Sequence, residues 1–214
     1  GNNEKGQLGT GTLTSSPTPV AVKGLGKDAS AVATGFDHSC AVVAGEVWCW
    51  GSNESGQLGD GTNVSDRAPL KVKGLPGPVS AITTGYYHNC AIVAGAVWCW
   101  GAMAFMGDGT MNPSPIPVPA KGLESGVTAI SANEQHSCAV VNGAAKCWGQ
   151  NQYGRLGTGD LADKTVATQV LGLERGVTAI VAATYHSCAI VEQAVYCWGH
   201  DLAGQIGNES VGDQ

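Results

Sequence analysis

The chain has 214 residues, of which 43% are hydrophobic and only 13% charged, a composition that excludes a disordered polymer and allows one sizeable core. Its formal net charge of −6 argues against nucleic acid as a partner, because an acidic surface repels phosphate backbones. No apolar run approaches the roughly 20 residues that a membrane-spanning helix requires, so membrane insertion is not expected.

Internal repeats organise the whole chain into a single repeat domain, 1–214. The dipeptide Trp-Gly recurs with spacings of 50, 48 and 50 residues, which gives repeats 1–50, 51–100, 101–148 and 149–198 and the start of a fifth, 199–214. Each repeat opens with a glycine-rich loop such as GNNEKGQLGTGT. It continues through a Gly-Leu step and short β-branched runs such as VSAITTG, and closes with HSCAVVAGEVWCWG or a variant of it.

The short runs predict strands, because they are rich in Val, Ile, Thr and Trp and are bounded by Gly, Pro and Asn. A period near 50 residues with about four such strands predicts an all-β fold, a β-propeller whose blades each have four antiparallel strands. A solenoid of strands is the alternative, and the length of the repeats favours the propeller.

The closing segment of each repeat holds two cysteines and is typical of a β-hairpin. With Ala44-Gly45 as a two-residue turn, Cys40 lies opposite Cys49, and one register serves all four copies. The cysteines then occupy a non-hydrogen-bonded pair with Cα atoms about 4.5 Å apart, which permits a disulfide. We therefore predict four disulfides: Cys40–Cys49, Cys90–Cys99, Cys138–Cys147 and Cys188–Cys197.

Two alternatives to the disulfides remain open at this stage. Eight free buried cysteines could act as small hydrophobes. A metal site could use His38, Cys40 and Cys49, although zinc sites usually have closer cysteine spacing. If the disulfides form, they indicate an oxidising compartment, so we expect an exported protein, extracellular or on the cell surface.

The loop Gly-Gln-Leu-Gly-x-Gly-Thr, the Gly-Leu step, the segment Gly-x-x-His-Ser-Cys-Ala and the closing Trp-Gly resemble the repeats of the regulator of chromosome condensation family. The resemblance implies a propeller, usually of seven blades, and the cysteine pairs resemble the bacterial and secreted members. It does not imply one function, because members include a nuclear exchange factor for a small GTPase, a plant photoreceptor and a secreted inhibitor that presents loop aromatics.

The number of repeats raises a geometrical question. Four full repeats and part of a fifth are too few for a seven-bladed ring, and open blade faces would expose apolar surface. We expect either that the ring continues beyond these residues or that chains associate with one another.

A histidine precedes the first cysteine of every hairpin by two positions. Because an active site rarely occurs four times in identical surroundings, we predict a structural role, in which each imidazole bonds a loop carbonyl within or between blades. The repeated tryptophans are predicted to be structural as well. These residues are His38, His88, His136, His186, Trp50, Trp100, Trp148 and Trp198. The loop acids Asp60, Asp108 and Asp160 are predicted to form turns.

Repeat three departs from the others. It is two residues shorter and places Met103, Phe105 and Met106 in its loop. One interpretation is a contact patch for a partner or a neighbouring chain, since Met and aromatic residues are enriched at interfaces. The other is that the shortened loop folds these side chains inward. Weaker candidates at loop ends are Tyr86, Tyr87, Tyr153 and Tyr185.

These observations favour a non-catalytic protein-interaction scaffold that binds a protein partner or identical subunits. No catalytic residue, cofactor or metal is predicted. The alternatives are a propeller domain of an enzyme, a glycan-binding propeller in which Trp and Tyr stack on sugars, and a module similar to a GTPase regulator.

Overall fold

The computed structural model describes residues 1–102 and 106–207, and within them the chain forms four antiparallel sheets. The first sheet contains β1 (Ala29–Thr34), β2 (His38–Val43), β3 (Glu46–Gly51) and β4 (Asp66–Lys71). The second contains β5 (Val79–Thr84), β6 (His88–Val93), β7 (Ala96–Gly101) and β8 (Ser114–Pro119). The third contains β9 (Val127–Asn133), β10 (His136–Val141), β11 (Ala144–Gly149) and β12 (Lys164–Gln169). The fourth contains β13 (Val177–Ala182), β14 (His186–Val191) and β15 (Ala194–Gly199), and a short 3-10 turn, η1 (Gln152–Gly154), follows β11.

Each sheet is a propeller blade whose strands follow the order of the chain, so the predicted all-β propeller is confirmed. The inner strands β1, β5, β9 and β13 lie side by side and set the blades in an arc. The blades are offset from the sequence repeats, because the outer strand of a blade comes after a long loop and falls in the next repeat. Thus β4 pairs with β3 although it belongs to repeat 51–100. Each repeat therefore interlocks two blades.

The predicted hairpin register is present in all four blades. Cys40 pairs with Cys49 across β2 and β3, and the other three cysteine pairs align in the same way. Every turn has two residues with positive φ, for example 51° at Ala44 and 78° at Gly45, as expected for a turn that matches strand twist. All four disulfides form, each with a Cα–Cα distance of 4.1 Å.

The core is divided among the seams between blades. In the first seam the Cys40–Cys49 disulfide and Val42 of one blade pack with Trp100 of the next and with Leu58 of the intervening loop. The second and third seams repeat this arrangement. Because the alternating side chains of a strand point to opposite faces, the second and third blades each contribute to two seams, and the first and fourth to one.

The two ends of the sheets differ in the loops they carry. One end holds the β1–β2 turn of each blade together with the start of the β3–β4 loop, which are joined by hydrogen bonds such as Ser52 N to Asp37 O at 2.8 Å. We call this the aromatic end; it comprises residues 2–7, 35–37, 52–57, 85–87, 134–135, 150–155, 183–185 and 200–205. The opposite end holds the β2–β3 turns and the loops that lead from one blade to the next.

Candidate functional site

The repeated histidines join each blade to the next one. In three consecutive seams the imidazole Nε2 contacts the side chain that follows the corresponding histidine of the next blade: His38 to Asn89 Oδ1 at 2.7 Å, His88 to Ser137 Oγ at 2.9 Å and His136 to Ser187 Oγ at 2.9 Å. The predicted partner, a loop carbonyl, is therefore wrong for these three. The acceptor is a side chain one blade away, and it could be seen in the sequence only as a Ser or Asn that always follows the His.

The loop carbonyl is bound instead by that neighbouring side chain. Asn89 Nδ2 donates to Gln57 O at 2.7 Å, and Ser187 Oγ donates to Arg155 O at 2.9 Å. Since the Ser187 hydroxyl has only one proton, His136 must donate from Nε2 and carry no proton on Nδ1. The Nδ1 atom of His136 is buried and has no hydrogen-bond partner.

This environment keeps the histidines neutral. Burial lowers the pKa of His88 to about 4, and the repulsion that a proton on the nearby His38 would exert lowers it further. Burial also lowers the pKa of His136 to about 3, with further contributions from the Arg155 guanidinium and the neighbouring histidines. A protonated ring would place a charge in a buried seam, so these groups hold blades together and are unsuited to proton transfer with a ligand.

The tryptophans of the Trp-Gly dipeptides bind the same loop carbonyls. In three of the four, the indole Nε1 donates to the carbonyl of the residue before the loop leucine: Trp50 to Gln7 O at 2.9 Å, Trp100 to Gln57 O at 3.1 Å and Trp198 to Arg155 O at 2.9 Å. Trp148 is fully buried in the second seam. One backbone carbonyl thus fixes the loop, the indole and the residue that bonds the histidine.

A buried asparagine holds the glycine-rich loop in a fixed shape. Asn53 Nδ2 donates to Thr62 O and Val64 O, both at 3.1 Å, and its Oδ1 accepts a bond from Leu58 N at 2.8 Å. Asn3 and Asn151 make corresponding bonds in their loops. The loop acids form local turns as predicted, and they include Asp60, Asp108 and Asp160. These loops are ordered by their own polar side chains and do not resemble phosphate-binding loops.

The third-repeat patch is only partly testable. Met103 and Phe105 lie outside the described residues. Met106 is fully buried in the second seam, beside the Cys90–Cys99 disulfide and Trp148. Of the two interpretations, the contact patch does not hold for Met106 and inward folding does, because this side chain takes the core position that Leu58 and Leu156 occupy in the neighbouring loops.

A first aromatic cluster bridges two blades at the aromatic end. The ring centroids of Phe36 and Tyr86 are 5.3 Å apart, and Tyr87 lies 6.4 Å from Phe36 and 6.3 Å from Tyr86. Phe36 is 60% exposed and Tyr87 is 45% exposed. The rings are thus packed on one another and still present their outer faces to solvent. Phe36 did not stand out in the sequence, although its turn, Gly-Phe-Asp, is the counterpart of Gly-Tyr-Tyr in the next repeat.

A second aromatic cluster lies at the same end, between the third and fourth blades. Tyr153 contacts His200 with a centroid distance of 4.5 Å and Tyr185 with one of 5.9 Å, and Tyr185 is 41% exposed. Tyr153 has a positive φ of 65°, a conformation that costs energy for a residue with a side chain. The third-blade loop differs in this from the loops with Lys5 and Ser55 at the same position.

Arg155 is a buried residue that packs against the second cluster. Its side chain is fully buried, its Nη1 donates to Thr184 O at 2.9 Å, and its guanidinium carbon lies 5.2 Å from the Tyr185 ring centroid. Glu134 Oε2 is 4.0 Å from Arg155 Nη1, which compensates part of the buried charge. Burial lowers the pKa of Arg155, but an arginine remains protonated in such a site.

Two kinds of feature were not found among the described residues, a cluster of metal-ligating side chains and a membrane-spanning helix. Within residues 1–102 and 106–207, no three His, Cys, Asp or Glu side chains are grouped to hold a metal ion. No helix of these ranges is long and apolar enough to cross a bilayer.

Comparisons with known proteins agree with the geometry. The family model for the regulator of chromosome condensation (RCC1) repeat matches residues 1–42, 44–92 and 142–190, and a second RCC1 repeat model matches residues 29–57. No curated protein is similar enough in sequence to match the chain.

Solved structures share the fold. Yeast RCC1 (Prp20) bound to Kap60 matches with a TM-score of 0.85 at 21% identity, over 100% of this chain and 55% of that one. Human WBSCR16 matches with a TM-score of 0.83 at 22% identity, over 100% and 59%. Prp20p from Saccharomyces cerevisiae, described with its binding to Gsp1p and histones, matches with a TM-score of 0.85 at 24% identity, over 100% and 55%.

The chain thus spans between 55% and 59% of the length of these relatives, and at such identities the likeness establishes the fold alone. The repeat models cover more than half of the chain, and the blades, seams and repeated motifs are those of a propeller. The chain therefore belongs to the regulator of chromosome condensation (RCC1) repeat family.

Proposed function

We propose that this chain is a non-catalytic protein-interaction scaffold that binds its partner at the aromatic end. The observation that carries the proposal is the distribution of aromatic rings. Among residues 1–102 and 106–207, every Phe and Tyr except Tyr196 lies at this end, and three of them are at least 40% exposed: Phe36, Tyr87 and Tyr185. Aromatic side chains are enriched at protein interfaces because they bury much area at little conformational cost.

The scaffold suits such a role because it holds the rings in place before a partner arrives. The turns that carry them are tied to the loop starts by backbone bonds, for example Ala102 N to Tyr87 O at 2.8 Å and His200 N to Tyr185 O at 3.0 Å. Preorganised side chains lose less entropy on binding than flexible ones. The repeated histidines support the non-catalytic part of the proposal, since three of the four are committed to seams and are shielded from solvent.

A capture experiment with matched variants tests this function. The protein is immobilised and exposed to the secreted and surface proteins of the source organism, and the dissociation constant of any captured protein is then measured. Phe36→Ala and Tyr185→Ala are each expected to weaken binding about tenfold or more. Glu192→Gln, at the opposite end, is the control and is expected to bind as the wild type does. Partners that bind all four proteins equally would contradict the proposed surface.

We also propose that the protein is exported. Eight cysteines paired in four buried or partly buried disulfides would be kept oxidised outside the cytosol and reduced within it. Mass spectrometry of the natural protein tests this: the oxidised form is about 8 Da lighter than the reduced form. Recovery of eight alkylated thiols without reductant would contradict export.

Self-association is a further part of the proposal, and it rests on the outer faces of the arc. Val195 in the last blade is 70% exposed, whereas Val47 and Val97 at the same hairpin position are 2% and 1% exposed. Val32 in the first blade is 71% exposed, whereas its counterpart Ile82 packs into a seam. A second copy could cover these faces as one blade covers the next. Light scattering of the 214-residue chain tests this, and a monomer at all concentrations would contradict it.

A further inference from the structure

The surroundings of the first aromatic cluster identify the chemistry of the partner. Phe36 is followed directly by Asp37, and the loop start beside this turn carries Glu4 and Lys5. Lys5 Nζ lies 3.0 Å from Glu54 Oε1 in the adjacent loop. The pKa of Lys5 is raised mainly by Glu54, with smaller contributions from Asp37 and Glu4, and Asp37 Oδ1 accepts a hydrogen bond from Gln7 Nε2 of the same loop at 3.3 Å.

The charges at this end do not balance. Among the residues of the aromatic end, the acids are Glu4, Asp37, Glu54, Glu134 and Asp201, and the bases are Lys5, Arg155 and His200; the exposed Arg67 lies against Gly6 at the start of β4, where Asp66 precedes it. Arg155 is buried and has Glu134 beside it, and Lys5 is bonded to Glu54, so these two cations are already paired; with Asp66 next to Arg67, the carboxylates of Glu4 and Asp37 remain in excess around Phe36. The surface that surrounds Phe36 is therefore apolar and aromatic at its centre and negative at its edge.

Resting on the function proposed above, we propose that the partner inserts a lysine or arginine, adjacent to an apolar side chain, against Phe36 and Tyr87. A cation over an aromatic face is attracted by the ring quadrupole, and the carboxylates at the edge add to the attraction. The chain already contains this geometry in its second cluster, where the Arg155 guanidinium lies 5.2 Å from the Tyr185 centroid. In the first cluster the neighbouring cation, Lys5, is bonded to Glu54 instead.

An acidic partner would be repelled by this surface. It would bring carboxylates close to Asp37 and Glu4, and like charges across an interface reduce affinity and slow association. A lipid surface is disfavoured for the same reason, since anionic headgroups would be repelled. The complementarity thus selects a protein segment with basic and apolar residues side by side.

A peptide-display selection on the immobilised protein tests this inference with defined probes. Random twelve-residue peptides are selected on the wild type, and enriched peptides are synthesised and titrated. We expect enriched sequences to contain Lys or Arg next to an apolar residue. We expect their affinity to fall with added NaCl, because exposed charge pairs are screened within about 10 Å at 0.1 M salt.

Variants then test the interaction surface and the cationic character of the partner separately. Phe36→Ala is expected to weaken the enriched peptides about tenfold, and the double variant Glu4→Gln with Asp37→Asn is expected to weaken them several-fold and to flatten the salt dependence. Glu192→Gln is the control and is expected to change nothing. Thermal unfolding of each variant checks that it is folded.

Failure of the inference and failure of the proposed function give different results in this experiment. If enriched peptides depend on Phe36 but are neutral or acidic, the inference about a cationic partner is overturned and the interaction surface stands. If no enriched peptide depends on Phe36 or Tyr185, the proposed surface itself is overturned, and the inference falls with it.

Discussion

Lowering the pH from 7.5 to 5 is expected to destabilise the propeller through its seam histidines. The neutral rings of His88 and His136 are buried, and their pKa values are lowered to about 4 and about 3, respectively, from an ordinary value of 6.5. The unfolded chain therefore takes up protons below pH 6.5, whereas the folded chain resists them. The contribution of these two histidines to the free energy of unfolding is complete above pH 6.5. It is lost progressively as the pH falls toward their folded pKa values.

The size of the effect follows from the linkage relation. Each pH unit between the two pKa values costs about 1.4 kcal/mol per histidine, so the interval from pH 6.5 to 5 costs about 2 kcal/mol for each ring. For His88 and His136 together the loss is about 4 kcal/mol, a large part of the 5–15 kcal/mol that stabilises a typical domain. Carboxylates contribute little above pH 5, so this window isolates the histidines.

Urea unfolding followed by tryptophan fluorescence between pH 7.5 and 5 measures the loss. His88→Gln keeps a donor for Ser137 but does not titrate, so its free energy of unfolding should depend less steeply on pH than that of the wild type. Ser137→Ala is the matched control: it removes the same 2.9 Å contact but keeps the imidazole, so it should lower stability and retain the slope. A wild-type stability that is constant from pH 7.5 to 5, or an unchanged slope in His88→Gln, would refute the reasoning.

Three further outcomes are expected. Gly85→Ala should lower the melting temperature measured by calorimetry, at a cost of about 1–3 kcal/mol, because a Cβ there would lie 2.3 Å from His88 Cε1. Gly26→Ala is the control and should be near neutral in the same measurement, because no atom lies within 4 Å of its Cβ position. In the 214-residue chain, Val47→Ala should cost about 2 kcal/mol and Val195→Ala less than about 0.5 kcal/mol, since only the first is buried; equal losses in urea unfolding would contradict the burial argument. Removing one disulfide by a double Cys→Ser change should cost about 2–3 kcal/mol, and unchanged stability would show that the crosslink constrains nothing in the unfolded chain.

The hairpins could be predicted from the sequence because all the information is local. Once Asn142-Gly143 is recognised as a two-residue turn, counting along both strands places Cys138 opposite Cys147, and the period of two leaves no other register. The structure confirms this pairing in every blade. The offset between repeats and blades was not visible, because β4 joins β3 only after a loop of irregular structure, and such non-local pairing has no periodic signal.

The candidate site was harder to predict from the sequence, because it too depends on contacts between residues of different blades. The contact between His38 and Asn89 joins residues in different blades, and no pattern within one repeat specifies which blade faces which. The aromatic end depends on the same long-range arrangement: Phe36 and Tyr86 are 50 positions apart in the chain and 5.3 Å apart in space. Two interpretations of Met106 stayed open because its neighbours in sequence are apolar, and its position in the loop, one residue before a glycine, is that of the buried Leu58.

In this scaffold the positions that join the blades recur in every repeat, whereas the positions proposed to bind a partner vary. The groups that join the blades recur: histidine, the Ser or Asn after it, the indole and the loop carbonyl. The residues two positions before each of these histidines lie outside this recurring set and differ from blade to blade: Phe36 and Tyr86 stand where the third and fourth blades have Glu134 and Thr184. A change there alters the surface at little cost to the seams. Binding specificity in this chain is therefore expected to depend on the turns, and acid and thermal stability on the seams.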